Sequence, residues 1–146
     1  MPSASVMYIR AMAEGEEAET RIQLLRTLPI ELSVHAASSW GDLELASRIE
    51  EADLVIIATS WPAMIYPFTA WLMGRAWTLD IPTLVRVLHH EGEPRPSIEL
   101  CTAAVVTDDE LLDALKTLVP HLPEQAVSTD YAKDLMRVAL KYRAPS

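Results

Sequence analysis

Residues 54–58 read Leu-Val-Ile-Ile-Ala and residues 83–88 read Thr-Leu-Val-Arg-Val-Leu, with Arg86 the only charge in the two runs. So short a stretch that is apolar on both sides of the pleat has to be covered on both faces, as a central strand of a parallel sheet is. Parallel neighbours need crossover connections, usually helices, and these are right-handed almost without exception. The chain supplies them. A β-branched and aromatic run at 6–10 precedes 15–28, where Ala18, Ile22 and Leu25 form the apolar stripe of a helix lying on a sheet. Pro29 ends that helix, and 30–34 alternates Ile, Leu and Val with Glu and Ser, the pattern of a half-buried strand near an edge.

Further on, Leu43, Ala46 and Ile49 share one face of a helix over 42–52, with Asp42 and Glu44 placed to complement its dipole. A third helix covers 67–79. A last strand falls at 103–106, and Asp108, Asp109 and Glu110 cap a helix carrying Leu111, Leu112, Leu115 and Leu118. The spacing predicts a single α/β domain over 1–146: a three-layer sandwich around a five-stranded parallel sheet of flavodoxin-like order 2-1-3-4-5. Residues 1–5 form a tail. An extra amphipathic helix lies within 124–142, with Tyr131, Leu135, Val138 and Tyr142 on one face.

A length of 146 residues suits one core without staples, and the net charge of −9 repels both phosphodiester backbones and anionic lipid. Neither nucleic acid nor a membrane is therefore an expected partner. The one cysteine, Cys101, forms no internal disulfide and reads as core. The N-terminus lacks a basic, apolar secretory leader, and no stretch is long enough to span a bilayer, so the expected location is the cytoplasm.

In an open α/β sheet the ligand crevice lies beyond the carboxyl ends of the strands where strand order reverses, here after the first and third strands. Arg10, Met12, Ser60, Trp61, Tyr66 and His90 are the expected ligand contacts. Arginine meets anions there, and aromatic faces stack on a planar ring. Glu14, Asp42 and His89 are the candidates for moving a proton. Glu14, Glu16 and Glu17 also sit where carboxylates facing water would complement a helix start, and there they disfavour a phosphate. His89 and His90 are adjacent, so in extended backbone they point opposite ways and make a poor chelating pair; no metal site is expected. The helix over 67–79 is apolar on nearly every side, and Phe68, Trp71 and Trp77 are expected to meet a second subunit in a homo-oligomer.

The pattern Asp42-Leu43-Glu44, then Ile49-Glu50-Glu51-Ala52-Asp53-Leu54-Val55-Ile56, then Gly74-Arg75-Ala76 before Ile81-Pro82-Thr83-Leu84 resembles the nucleoside 2-deoxyribosyltransferase-like superfamily, with its nucleotide N-glycosidase and TIR-like relatives. The stretch Ala103-Ala104-Val105-Val106-Thr107-Asp108-Asp109-Glu110 suits that family's last strand and helix. The resemblance covers roughly residues 6–119 and implies a nucleoside or nucleotide ligand. It also implies a nucleophilic glutamate in a Glu-Leu-Gly-Arg/Tyr-Ala motif, where this chain has Leu72. Without that carboxylate no glycosyl-enzyme intermediate forms by the family route, so the expectation is a binding protein that needs no cofactor. Two alternatives stand beside it. The tryptophan-bearing loop after the third strand is similar to that of flavodoxin-like FMN reductases, and the apolar helix suits a non-enzymatic interaction protein.

Overall fold

The computed structural model describes residues 4–10, 16–36, 43–60, 67–88, 101–122 and 132–133. Five strands form one parallel sheet in the order β2-β1-β3-β4-β5, with β1 Ala4–Arg10, β2 Ile30–Ala36, β3 Leu54–Ser60, β4 Thr83–Leu88 and β5 Ala103–Val105. Four α-helices accompany it among the described residues: α1 Glu17–Leu25, α2 Leu43–Arg48, α3 Pro67–Thr78 and α4 Asp108–Leu118. Short 3₁₀ turns, Ile49–Glu51 and Val119–His121, extend α2 and α4. The expected strand order is the observed one. The crossover between β4 and β5 falls in 89–100, outside the described residues.

The sheet divides two cores. Val6, Tyr8, Leu54, Ile56, Leu84 and Val105 face α1 and α4, which contribute Leu25, Leu111, Leu115 and Leu118. Met7, Ile9, Val55, Ile57 and Val85 face α2 and α3, which contribute Leu45, Ile49, Leu72, Met73 and Ala76. Every residue from Leu54 to Thr59 is buried, which is why β3 carries no alternation. On β2 the alternation is real: Ile30, Leu32 and Val34 pack against the first core while Glu31 and Ser33 are exposed.

Helix ends follow local chemistry. The α1 helix closes at Leu25 with Arg26 as its C-cap, four residues before Pro29, so the proline marks the turn and not the helix end. At α4 the cap is Thr107, whose hydroxyl accepts from the Glu110 amide at 3.1 Å. Asp108, Asp109 and Glu110 fill the first turn, and Glu110 Oε1 accepts from the Val106 amide at 2.9 Å. This is a reciprocal capping arrangement. The α3 helix ends in a Schellman motif: Ile81 N–H donates to Ala76 O at 2.9 Å, Asp80 N–H donates to Trp77 O at 3.0 Å, and Asp80 takes the left-handed conformation at φ 59°.

Gly74 lies inside α3, and a Cβ added there meets nothing within 4 Å. Gly74→Ala is therefore expected to stabilise the fold by about 0.5–1 kcal/mol through backbone entropy alone, read as a higher urea midpoint with unchanged slope. A lower midpoint would mean that the glycine is needed for close approach. No helix among the described residues is long and apolar enough to cross a membrane. Of the expected C-terminal helix only Ala132 and Lys133 are described, and both are helical.

Candidate functional site

Parallel register sets one row of side chains across the carboxyl end of the sheet. Ala36, Arg10, Ala58, Arg86 and Val105 are successive partners on β2, β1, β3, β4 and β5. Arg10 and Ser60 follow Tyr8 and Ala58 in strand alternation, so both belong to the α1/α4 side, at the ends of the two strands that flank the change of direction. Arg10 and Arg86 are thus two strand spacings apart, about 10 Å between Cα atoms, with only Ala58 between them.

Against this row stands a polar cluster joining four elements. Arg21 on α1 donates through Nε to Asp108 Oδ1 at 2.7 Å and through Nη1 to the Tyr8 hydroxyl at 3.1 Å. Arg86 donates through Nε to the same Asp108 oxygen at 2.9 Å and through Nη1 to the Val87 carbonyl at 2.6 Å. The Arg21 side chain is 2% exposed, Arg86 11% and Asp108 28%. Two guanidinium groups on one carboxylate leave these three groups with a net positive charge at the carboxyl end of the sheet.

Burial works against ionisation of Asp108, but hydrogen bonds from Arg21 and Arg86 outweigh it, holding the carboxyl below the usual range. Burial likewise opposes the charge on Arg21. Its bonds to Asp108 and Tyr8 more than offset this, so the guanidinium stays protonated with its pKa raised. Cys101 is buried in the α2/α3 core, and desolvation pushes its thiol up to about 12, so it stays protonated and unreactive at neutral pH.

Among the expected site residues, Arg10 is the last residue of β1 and Ser60 the last of β3, on the same face of the sheet. Glu14, Met12, Asp42, Trp61, Tyr66, His89 and His90 lie outside the described residues, and the Phe68 side chain is likewise not described. Leu72 is fully buried in the α2/α3 core. Asp53, the acid of the family-like Ala-Asp-strand pattern, has a structural task at the other end of the sheet. Its Oδ2 accepts from the Ser5 amide at 2.8 Å, and its own amide donates to Ser5 O at 2.8 Å. Arg75 of the Gly-Arg-Ala pattern pairs with Glu50 at 2.5 Å on the surface. Among the described residues no group of three or more His, Cys, Asp or Glu is placed to hold a metal ion.

On α3 the expectation of burial all round meets a mixed result in the single chain. Leu72, Met73 and Ala76 are buried, whereas Trp71 is 36% exposed. Trp77 is half-buried and carries the Lys133 ammonium 4.4 Å from its ring centroid, so the chain's own C-terminal segment covers part of that ring.

No known family model matches the chain, and no curated protein matches it in sequence. The sequence signal for the Arg21–Asp108–Arg86 cluster was nonetheless present. Arg86 is a lone charge in a buried strand, and Arg21 lies on the same helical stripe as Ala18, Ile22 and Leu25.

Proposed function

We propose that this chain binds a nucleoside- or nucleotide-type small molecule at the carboxyl ends of β1 and β3. It does so without the glycosyl transfer that the resembled family performs through its nucleophilic glutamate. The observation that carries this reading is the row Arg10–Ala58–Arg86 at the point where strand order reverses, backed by the Arg21–Asp108 pair. Cationic side chains at that end of the sheet suit an anionic or hydroxyl-rich ligand. The burial of Leu72 supports binding over glycosyl transfer, because a carboxylate is missing and its position belongs to the core.

The test incubates the protein with nucleosides, nucleoside monophosphates and NAD, then reads retained ligand and released base by chromatography with mass detection. Retention of one ligand class without base release is the expected result. Retention of none contradicts the binding reading. Release of a base that Asp42→Asn or Glu14→Gln abolishes contradicts the non-catalytic part, since it would reveal a glycosidase rebuilt on other carboxylates.

The reading includes self-association in the cytoplasm through the outer side of α3, supported by the exposure of Trp71. Trp71→Glu is expected to reduce the particle mass in sedimentation equilibrium to that of one 16.2 kDa chain without unfolding it. A parent protein already at that mass would remove the self-association claim.

A further inference from the structure

The second face of the sheet carries a separate cavity. Glu31, Ser33 and His35 of β2 stand in register with Ser5, Met7 and Ile9 of β1, on the α2/α3 side. A strand face pressed by a helix is ordinarily apolar, yet here β2 presents a carboxylate, a hydroxyl and an imidazole. The α2 helix and its 3₁₀ turn explain this, because Leu45 and Ile49 join the core built on β1 and β3 and no β2 residue belongs to that core. A cavity of about 410 Å³ remains beside β2, with Met7 and Ala52 as its apolar part and Ser5, Ser33, His35, Arg48 and Glu51 as polar lining. That volume falls within the range of small-molecule sites.

We infer that this groove is a binding site for a small zwitterion of the α-amino acid class with an apolar side chain, distinct from the crevice on the opposite face. Arg48 and Glu51 are three residues apart on one continuous helical segment and both line the cavity, so opposite charges face the same space. Among the described residues, the Glu51 carboxylate and the hydroxyls of Ser5 and Ser33 take no hydrogen-bond or ion-pair partner within the chain. A ligand ammonium completes Glu51. Its carboxylate meets Arg48 and the serine hydroxyls, and its side chain lies on Met7 and Ala52. A ligand with only one of the two charges would leave the like-charged member of the Arg48/Glu51 pair facing it, which is the source of selectivity.

The probe is L-leucine, titrated into protein carrying ¹³C-labelled methionine methyl groups, with the Met7 resonance, assigned by Met7→Leu, as the readout. The Met7 methyl is expected to shift saturably with L-leucine. Isocaproate and isoamylamine, which each lack one of its charges, are expected to bind at least about tenfold more weakly. Glu51→Gln, a substitution at an exposed position that spares the fold, should weaken L-leucine about tenfold and bring it level with isocaproate. A Met7 resonance that does not move with L-leucine overturns the inference. So does equal binding of isocaproate, or a Glu51→Gln variant that binds as well as the parent. None of these results touches the crevice reading, which rests on other residues.

Discussion

Asp108→Ala is expected to destabilise the fold by about 3–5 kcal/mol, because it removes the carboxylate whose one Oδ1 atom two nearly buried guanidinium groups share. Arg21 would keep only the Tyr8 hydroxyl among its bonds in this cluster, and Arg86 only the Val87 carbonyl. The effect is read as the fall in urea midpoint at pH 7. Asp108→Asn is expected to lie between, since an amide oxygen still accepts a hydrogen bond but carries no charge. The carboxyl is held below its ordinary range in the folded state, so its contribution is present above the unfolded value of about 4 and is lost as pH falls through the lower folded value. The gap between parent and Asp108→Asn should therefore be widest at neutral pH and close as the pH drops below about 4. A gap that does not change with pH would show that the carboxylate charge is not what the two arginines need.

Leu72→Glu, which restores the residue type of the resembled family, is expected to cost about 4 kcal/mol or more and to yield no base release. Leu72 is fully buried beside Met73 and Ala76 in an apolar core, so a carboxylate there would lose its hydration with no charged donor among the described residues of that core. Leu72→Met keeps the volume and should cost less than about 1.5 kcal/mol, which separates loss of packing from burial of charge. A Leu72→Glu protein as stable as its parent would place position 72 in the crevice and not in the core.

The sheet was legible in the sequence because its strongest constraint is local. Unbroken aliphatic runs at 54–58 and 83–88 require cover on both faces, and the helical stripes between them supply it. The edge position of β2 followed from its alternation, and the sheet order matches the expected one. Helix ends were less legible. Pro29 suggested a stop that the backbone makes four residues earlier, and the acidic run at 108–110 concealed the cap at Thr107. The ionic cluster escaped because its members are 87 and 22 residues apart and meet only where α1, α4 and β4 come together on one face of the sheet. Of the residues expected to form the site, Arg10 and Ser60 end β1 and β3 on the same face of the sheet. Asp53, in contrast, serves the opposite end of the sheet, where it ties β1 to the start of β3.

The central claim, that the carboxyl ends of β1 and β3 hold a nucleotide-type ligand, is tested most directly by calorimetric titration of nucleoside monophosphates into the parent and Arg10→Gln proteins. Saturable heat with a Kd of about 1 mM or tighter is expected for at least one monophosphate, weakened about tenfold by Arg10→Gln. Absence of saturable heat from every monophosphate, or a Kd unchanged in Arg10→Gln, would contradict it.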